Sequence, residues 1–210
     1  MGIAERKERE KQQRREEIIE AAEAVFFSKG FEKSTMDDIA EKAELSKGTL
    51  YLYFKSKEDL HMAVAHTAIS MLKFSMEGIE DMAEGAFEKL GRMGRATIEF
   101  ARKYPDQMKS IMLLEGFDLQ LISASASEVR DVIYKDSPVG LLIRIVEQGV
   151  REKLIRADIP SALIAHTLWL QTLSVISFVT QKSSLIAMLE LSPEKVYESH
   201  FELVLNGIRS

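Results

Sequence analysis

The stretch from Ser34 to Lys57 constrains the fold of this chain more than any other part of the sequence. Thr35 can cap a short helix whose third position is Asp38, a variant of the capping box with aspartate in place of glutamate. The turn Glu44-Leu45-Ser46 follows, and its serine can cap a second helix. A connection of three to four residues suits two helices that cross steeply. The stretch therefore predicts a helix-turn-helix motif.

The second helix of this motif has one buried and one outward face. Leu50 and Phe54 are spaced i, i+4 and form the buried face. Gly48, Thr49, Tyr51 and Leu52 therefore point outward, where such a helix enters a DNA major groove. A lysine in the first turn, Lys47, can bind guanine, and Leu52 can pack on a thymine methyl or be an ordinary exposed leucine. Tyr53 can bind phosphate or pack against the first helix of the chain. The predicted DNA contacts are Thr35, Lys47, Gly48, Thr49, Tyr51, Leu52, Tyr53 and Lys57.

Residues 46–60 read Ser-Lys-Gly-Thr-Leu-Tyr-x-Tyr-Phe-x-x-Lys-Glu-x-Leu and closely resemble the signature of tetracycline-repressor-type (TetR) transcriptional regulators. The resemblance extends upstream through residues 18–22, Phe26 and Gly30-Phe31, and it covers about residues 15–62. One position departs from the family pattern, because the usual glycine of the turn is Glu44. A left-handed backbone at a residue other than glycine costs roughly 1 kcal/mol. The resemblance also implies that Lys57, at a helix N-terminus, contacts the DNA backbone.

Composition predicts an all-α chain, since only four prolines occur and no alternating strand pattern of useful length is present. The resemblance implies an N-terminal three-helix DNA-binding domain with the helix-turn-helix over residues 1–60. A larger helical ligand-binding and dimerisation domain would follow over residues 61–210. The absence of cysteine excludes disulfides, thiolate zinc sites and cysteine nucleophiles. The four histidines lack the spacing of a metal site, so we expect no metal, no cofactor and no enzyme activity.

The N-terminal segment from Met1 to Glu17 mixes acidic and basic residues, unlike a signal or transit peptide, which predicts a cytoplasmic protein. Its Glu5/Arg9 and Glu10/Arg14 pairs have the spacing of a solvated helix. Contacts from its basic residues to phosphates or to a minor groove are the alternative. The net charge of −5 does not exclude DNA binding, because the distribution of charge decides such binding.

Residues 60–155 are expected to form the effector-binding region, with helix breaks at Gly78, Gly85, Tyr104-Pro105, residues 116–127 and Ser137-Pro138. Seven of the ten methionines lie here, and flexible thioethers suit an adaptable apolar pocket. Methionine and phenylalanine at helical spacing more often belong to an ordinary core, which is the alternative. The candidate pocket residues are Met71, Phe74, Met93, Phe100, Met108, Met112, Phe117, Tyr134 and Trp169.

Two C-terminal segments are candidates for a dimer interface. Residues 159–181 carry no charged side chain, and Ser192-Pro193-Glu194 marks the start of a final amphipathic helix. The resemblance implies dimerisation through the last two long helices. Closure of the subunit's own core and a membrane helix are the alternatives, although polar residues make the uncharged segment a poor membrane span. The candidate interface residues are Thr167, Gln171, Ser174, Phe178, Tyr197, Phe201, Val204 and Ile208.

Together these features predict a dimeric, ligand-responsive transcriptional repressor that binds double-stranded DNA at a palindromic operator and leaves it when a small apolar or amphipathic effector binds. One alternative is a helical protein-interaction module that retains the fold without binding an operator. The other is a transcriptional activator.

Overall fold

The structure is a computed structural model that describes residues 2–114 and 137–210. Within these residues every regular element is an α-helix apart from one isolated bridge between Ile155 and Arg209, so the all-α prediction is confirmed. In chain order the helices are α1 (Ile3–Lys29), α2 (Met36–Lys42), α3 (Lys47–Tyr53), α4 (Lys57–Phe74), α5 (Ala86–Lys103), α6 (Pro105–Leu114), α7 (Pro138–Arg151), α8 (Ser161–Gln181), α9 (Ser183–Met188) and α10 (Pro193–Gly207).

The chain folds into two compact units. The first unit contains Met1–Ala68 together with the chain from Asp106 onward in α6, and the second contains Ile69–Pro105 and helices α7 to α10. The predicted boundary between residues 60 and 61 therefore lies inside α4, and α6 belongs to the first unit although it follows α5 in sequence. The assignment of DNA binding and effector binding to separate domains stays a prediction.

The core of the first unit begins halfway along α1. Residues 4–17 of α1 are exposed, and Ile18 is the first described residue of the helix that is fully buried. From that point the apolar residues of α1 recur with helical spacing and pack against one face each of α2, α3 and the start of α4. The buried cluster comprises Ile18, Ala22, Val25, Phe26, Met36, Ile39, Ala40, Leu50, Phe54, Leu60, Ala63 and Val64.

The charged N-terminal segment is a solvated helix in the structure. Arg6 pairs with Glu10 at 2.8 Å, and Arg14 pairs with Glu17 at 2.7 Å. Arg14 therefore binds an acid on the turn that follows it instead of the predicted Glu10. These pairs lie along the helix surface, where they support helix formation weakly.

Helix α1 is capped at its C-terminal end by Gly30, which has φ 79° and donates its N–H to the Phe26 carbonyl at 2.9 Å. Several predicted helix boundaries are confirmed farther along the chain. The chain breaks again between α5 and α6 at Tyr104, directly before Pro105. Ser137 caps α7 by accepting the Gly140 N–H at 3.1 Å, and Ser192 caps α10 in the same way.

In the second unit α5 and α10 run antiparallel. Arg102 on α5 pairs with Glu194 near the start of α10 at 2.7 Å, and Gly94, two turns earlier on α5, contacts Phe201 farther along α10. The buried ammonium of Lys89 donates to the Glu80 carbonyl at 2.6 Å and to Gln148 Oε1 at 3.1 Å. This lysine therefore joins α5 to α7 and to the segment that precedes α5.

Helix α8 (Ser161–Gln181) is, within the described residues, the one helix long and apolar enough by length and composition to cross a membrane. In its most apolar stretch 39% of the residues are buried inside the protein itself. A helix with apolar residues on most of its surface is also expected where neighbouring helices pack against it on two sides.

Candidate DNA-binding surface and effector cavity

The helix-turn-helix is built from local hydrogen bonds. Thr35 Oγ1 accepts the Asp38 N–H at 3.1 Å, and Asp38 Oδ2 accepts the Thr35 N–H at 3.0 Å, so the predicted capping box is confirmed. Lys29 and then Thr35 hold the pKa of Asp38 below its usual value through hydrogen bonds to the carboxylate. The charged, hydrogen-bonding form of Asp38 is therefore favoured at the start of α2.

The turn between α2 and α3 has the predicted left-handed residue. Glu44 has φ 54°, and the next residue, Leu45, donates its N–H to the Ala40 carbonyl at 2.9 Å. The Leu45 side chain packs against the core of the first unit. Ser46 then caps α3 by accepting the Thr49 N–H at 3.1 Å. The turn thus fixes the direction of α3 although it lacks glycine.

Helix α3 presents a continuous exposed face. Leu50 is fully buried and Phe54 is nearly so, as predicted, whereas Leu52 is 82% exposed and Tyr51 is 40% exposed. Lys47 and Gly48 are also exposed in the first turn. Because Leu50 and Phe54 anchor α3 to the core, the opposite face of the helix is exposed and can contact a flat or grooved partner. An exposed leucine and tyrosine beside a lysine suit base edges and methyl groups in a major groove.

A small apolar cavity lies in the second unit. It has a volume of about 40 Å³ and lies between α5, α7, α8 and α10. Its polar groups are the hydroxyls of Thr97 and Thr172, which donate to the carbonyls of Met93 and Leu168 in their own helices. The lining residues are Met76, Leu90, Met93, Gly94, Thr97, Leu142, Leu168, Trp169, Thr172, Phe201, Val204 and Leu205.

Comparison with known proteins decides the family. Residues 18–64 match the model of the bacterial regulatory proteins of the tetR family. These residues therefore form a tetR-family DNA-binding region. The protein is a DNA-binding transcriptional regulator, and tetR-family regulators act as dimers that bind operator DNA and small-molecule effectors.

Similarity to known regulators extends beyond this region. The chain is 26% identical over 202 residues to the HTH-type transcriptional repressor KstR2 of Mycolicibacterium smegmatis. This alignment covers 93% of this chain and 90% of that protein. The uncharacterized regulator YfiR of Bacillus subtilis is 44% identical over 59 residues, or 28% of this chain and 29% of that protein. A solved structure of a proposed fatty acid metabolism regulator from Clostridium perfringens has 28% identity and a TM-score of 0.63, with coverage of 92% and 99%.

The predicted DNA contacts of this tetR-family regulator occupy different environments. Lys47 Nζ pairs with Asp37 at 2.7 Å, and this hydrogen bond raises the pKa of Lys47. Both partners are exposed, and exposed pairs are weak, so a guanine can displace the aspartate. The hydroxyl of Thr49 contacts Ser46 at 2.8 Å, and Tyr53 is half-buried against the core. Tyr53 therefore has the packing role that the sequence left open, and its contact with DNA stays a prediction.

Lys57 has protein partners at the start of α4. Its ammonium donates to the carbonyls of Phe31 at 2.8 Å and Ser34 at 3.2 Å, and lies 4.2 Å from the centre of the Phe31 ring. Sequence reasoning attributed this cation at a helix N-terminus to a nearby phosphate. The carbonyls of the turn after α1 supply compensating negative charge within the protein, so Lys57 joins that turn to α4. Its contact with the DNA backbone stays a prediction.

We expect Lys57→Met to lower the free energy of unfolding of the first unit by about 1–3 kcal/mol, because it removes charge-assisted hydrogen bonds to buried or half-buried carbonyls. Hydrogen exchange of peptides from α1 and the start of α4 measures this change within the first unit, with exposed Lys55→Met as the matched control. A phosphate contact predicts another result, a salt dependence of DNA binding that falls by about one unit without loss of stability.

Only part of the predicted pocket lines the cavity. Met93 and Trp169 are walls, whereas Phe74 is 76% exposed where α4 ends and is not a wall. Phe100 is buried and Met71 is half-buried, both outside the lining set. Met108 and Met112 lie on α6 in the first unit, and Phe117 and Tyr134 lie outside the described residues, as does the segment 116–127.

The predicted interface residues separate by helix. On α8, the side chains of Thr167, Gln171, Ser174 and Phe178 are exposed as an interface requires. The stripe on α10 faces the subunit's own interior instead: Tyr197 is buried, and Phe201 and Val204 line the cavity. Ile208 is half-buried, beside the bridge between Ile155 and Arg209. An amphipathic stripe shows that a face is covered, but the sequence did not show that α5 and α8 cover it.

Further exposed apolar residues were not predicted from sequence. Leu163 and Leu170 extend the exposed face of α8, and Leu203 is exposed on α10. Their signal was present, since Leu163 and Leu170 lie seven residues apart, or two helical turns. Over residues 2–114 and 137–210 no group of three or more histidine or acidic side chains is arranged to hold a metal ion.

Proposed function

We propose that this protein is a dimeric repressor that binds a palindromic operator through α3 and leaves it when a small apolar effector binds in the second unit. The observation that carries the proposal is the exposed face of α3, which a local capping network and a buried core hold in place. The proposal places the protein in the cytoplasm with its DNA and assigns it no catalytic step. KstR2, similar over 93% of this chain, is a transcriptional repressor, which supports repression over activation.

The exposed face of α3 is short, so one copy of the protein is expected to be insufficient for specific recognition of an operator. Helix α3 has seven residues, and one such helix reaches few base pairs. A symmetric pair reads two half-sites about one helical turn apart, and this is why operators for such proteins are palindromic. The exposed apolar residues Leu163, Leu170 and Phe178 on α8 support a two-fold interface on that helix.

The nature of the cavity supports an effector with an uncharged apolar body. No charged side chain lines it, and its two hydroxyls already donate within their own helices. A charged group buried there would lack a partner, which is costly. The 28% identical regulator from Clostridium perfringens is a proposed regulator of fatty acid metabolism, and the apolar chain of such a molecule fits this chemistry.

In this mechanism the effector shifts the protein toward a conformer whose two α3 helices no longer match successive major grooves. The shift is limited by the difference between the effector's affinities for the two conformers. Helix α4 runs from Lys57 in the first unit to Phe74 in the second, so it is one covalent link through which such a change can pass.

Fluorescence anisotropy with the DNA that flanks its own gene, titrated over salt beside a scrambled duplex, tests the proposal. We expect a preference for the native duplex and a salt slope of several units, because several phosphates are contacted. Lys47→Ala should reduce that preference about tenfold or more, since a lysine contact to guanine discriminates among bases. Lys195→Ala, which removes the same charge from α10 in the second unit, should leave the preference unchanged.

Equal binding to both duplexes, with no effect of Lys47→Ala, would instead favour a helical protein-interaction module. Repression and activation are separated by a reporter gene placed behind the bound DNA. Higher reporter expression when the protein is absent indicates repression, and lower expression indicates activation.

A further inference from the structure

The apolar cavity of the second unit is too small for an effector as it stands. Its volume is about 40 Å³. An apolar cavity that binds benzene has roughly 150 Å³. If the second unit binds an effector, at least one wall must therefore move when the effector enters.

The walls differ in how freely they can move. On α5, α7 and α8, the apolar lining side chains Leu90, Met93, Leu142, Leu168 and Trp169 are all buried, and only the polar Thr172 is half-buried. The lining residues on α10, Phe201, Val204 and Leu205, are half-buried and so partly face solvent. Displacing a buried wall side chain disrupts packing on all its sides, whereas a half-buried one can turn toward water. The α10 wall is therefore the one that opens at the lowest cost.

Within that wall, Phe201 is held in a particular way. Its ring packs directly on the backbone of Gly94 on α5, in the space that a side chain at position 94 would occupy. The ring thus fills a notch that exists only because residue 94 is glycine. Its other described aromatic contact is with the neighbouring His200, at 5.3 Å between ring centres. No hydrogen bond can hold a phenylalanine ring, so packing alone keeps it in the notch.

We propose that Phe201 is the gate of the effector site and sets the size of molecule that enters it. The effector passes between α5 and α10 by displacing the Phe201 ring from the Gly94 notch, and its apolar body then occupies the space that the ring and the cavity provide together. The chemical class is an uncharged apolar chain or ring. This inference rests on the proposed effector site, but it can be tested without DNA and without the natural effector.

Trp169 lines the cavity and is the one tryptophan of the chain, so its fluorescence reports on this site alone. The probe is 8-bromo-1-octanol, an uncharged apolar chain whose bromine quenches tryptophan on contact. Stopped-flow mixing measures its association and dissociation rates with the wild type, with Phe201→Ala and with Leu142→Ala. Leu142→Ala enlarges the same cavity from the α7 wall and leaves the α10 side intact.

We expect Phe201→Ala to raise the association rate at least tenfold. Leu142→Ala should mainly slow dissociation, because it adds space without opening the entrance. Quenching of Phe201→Ala with no quenching of the wild type would also support the gate. Equal acceleration by both substitutions, or no acceleration by Phe201→Ala, would overturn it.

Phe201→Leu is a control for a folding defect in Phe201→Ala, because it removes the ring but keeps most of the apolar volume on α10. We expect it to give an intermediate association rate with an unchanged thermal transition. Operator binding is measured separately, so loss of DNA binding with an intact gate would contradict the proposed function and leave this inference standing. Intact, ligand-sensitive DNA binding without the expected rate change would contradict the inference alone.

Discussion

Replacement of Leu50 by alanine is expected to destabilise the first unit by about 2–5 kcal/mol and to abolish operator binding at physiological temperature. Leu50 is fully buried between α1, α2 and the start of α4, and removing its side chain leaves a cavity as well as a loss of apolar burial. Leu52→Ala is the matched control on the same helix, because Leu52 is 82% exposed. Its stability should change by less than about 0.5 kcal/mol.

Hydrogen exchange of peptides from α1 to α3 is the appropriate measurement, because the chain has two units and one global transition need not report on the first. The two variants should also differ in how they affect DNA recognition. Leu52→Ala should keep its fold but lose discrimination at one base pair, if the leucine packs on a thymine methyl. Equal destabilisation by the two substitutions would show that α3 is not oriented as described.

Acidification is expected to weaken the first unit by about 3 kcal/mol between pH 6.5 and pH 4, because His61 is buried in it. Burial lowers the pKa of His61 from 6.5 to about 4. As the pH falls through this window the unfolded chain takes up a proton that the folded chain does not, so the unfolded state gains stability. The full stability contribution is present above pH 6.5 and is lost progressively below it.

His61→Phe should remove most of this pH dependence, since phenylalanine does not titrate and the neighbouring rings of Phe26 and Phe31 are aromatic, 5.7 and 5.0 Å away between centres. His66→Gln is the matched control, an exposed position on the same helix that should leave the profile in place. Hydrogen exchange of α1 and α4 as a function of pH measures the effect. A local measurement is needed because burial also lowers the pKa of His200 in the second unit. An unchanged profile in His61→Phe would refute the assignment.

The helix-turn-helix was predictable almost residue by residue because local interactions determine it. Thr35, Asp38 and Ser46 form caps within three residues of themselves, and the left-handed Glu44 follows from the motif. The inward pair Leu50 and Phe54 needs only the helical repeat. These features depend on neighbours in sequence, so the sequence contains the information needed to place them.

The cavity and the interface were less predictable because both depend on which helices meet. A stripe such as Phe201 and Val204 is apolar whether its partner is a second subunit or the subunit's own α5. Phe74 looked like a pocket wall by residue type, but α4 ends there with its ring in solvent. The partners of Lys57 could not be predicted for the same reason, because its carbonyl acceptors belong to residues more than twenty positions away in sequence.

The membership of α6 in the first unit has a consequence for engineered hybrids. The first unit is assembled from two pieces of chain that α5 separates in sequence, and Gln107 on α6 donates to Glu23 on α1 at 3.1 Å. A chimera that joins residues 1–60 to another regulator's ligand-sensing part would keep α1 but exchange the helix against which α1 packs. Transfer of residues 1–60 to another regulator would therefore require that the recipient's α6 has a surface complementary to α1. A chimera with a single junction near residue 60 would instead have a poorly packed contact between α1 and the recipient's α6.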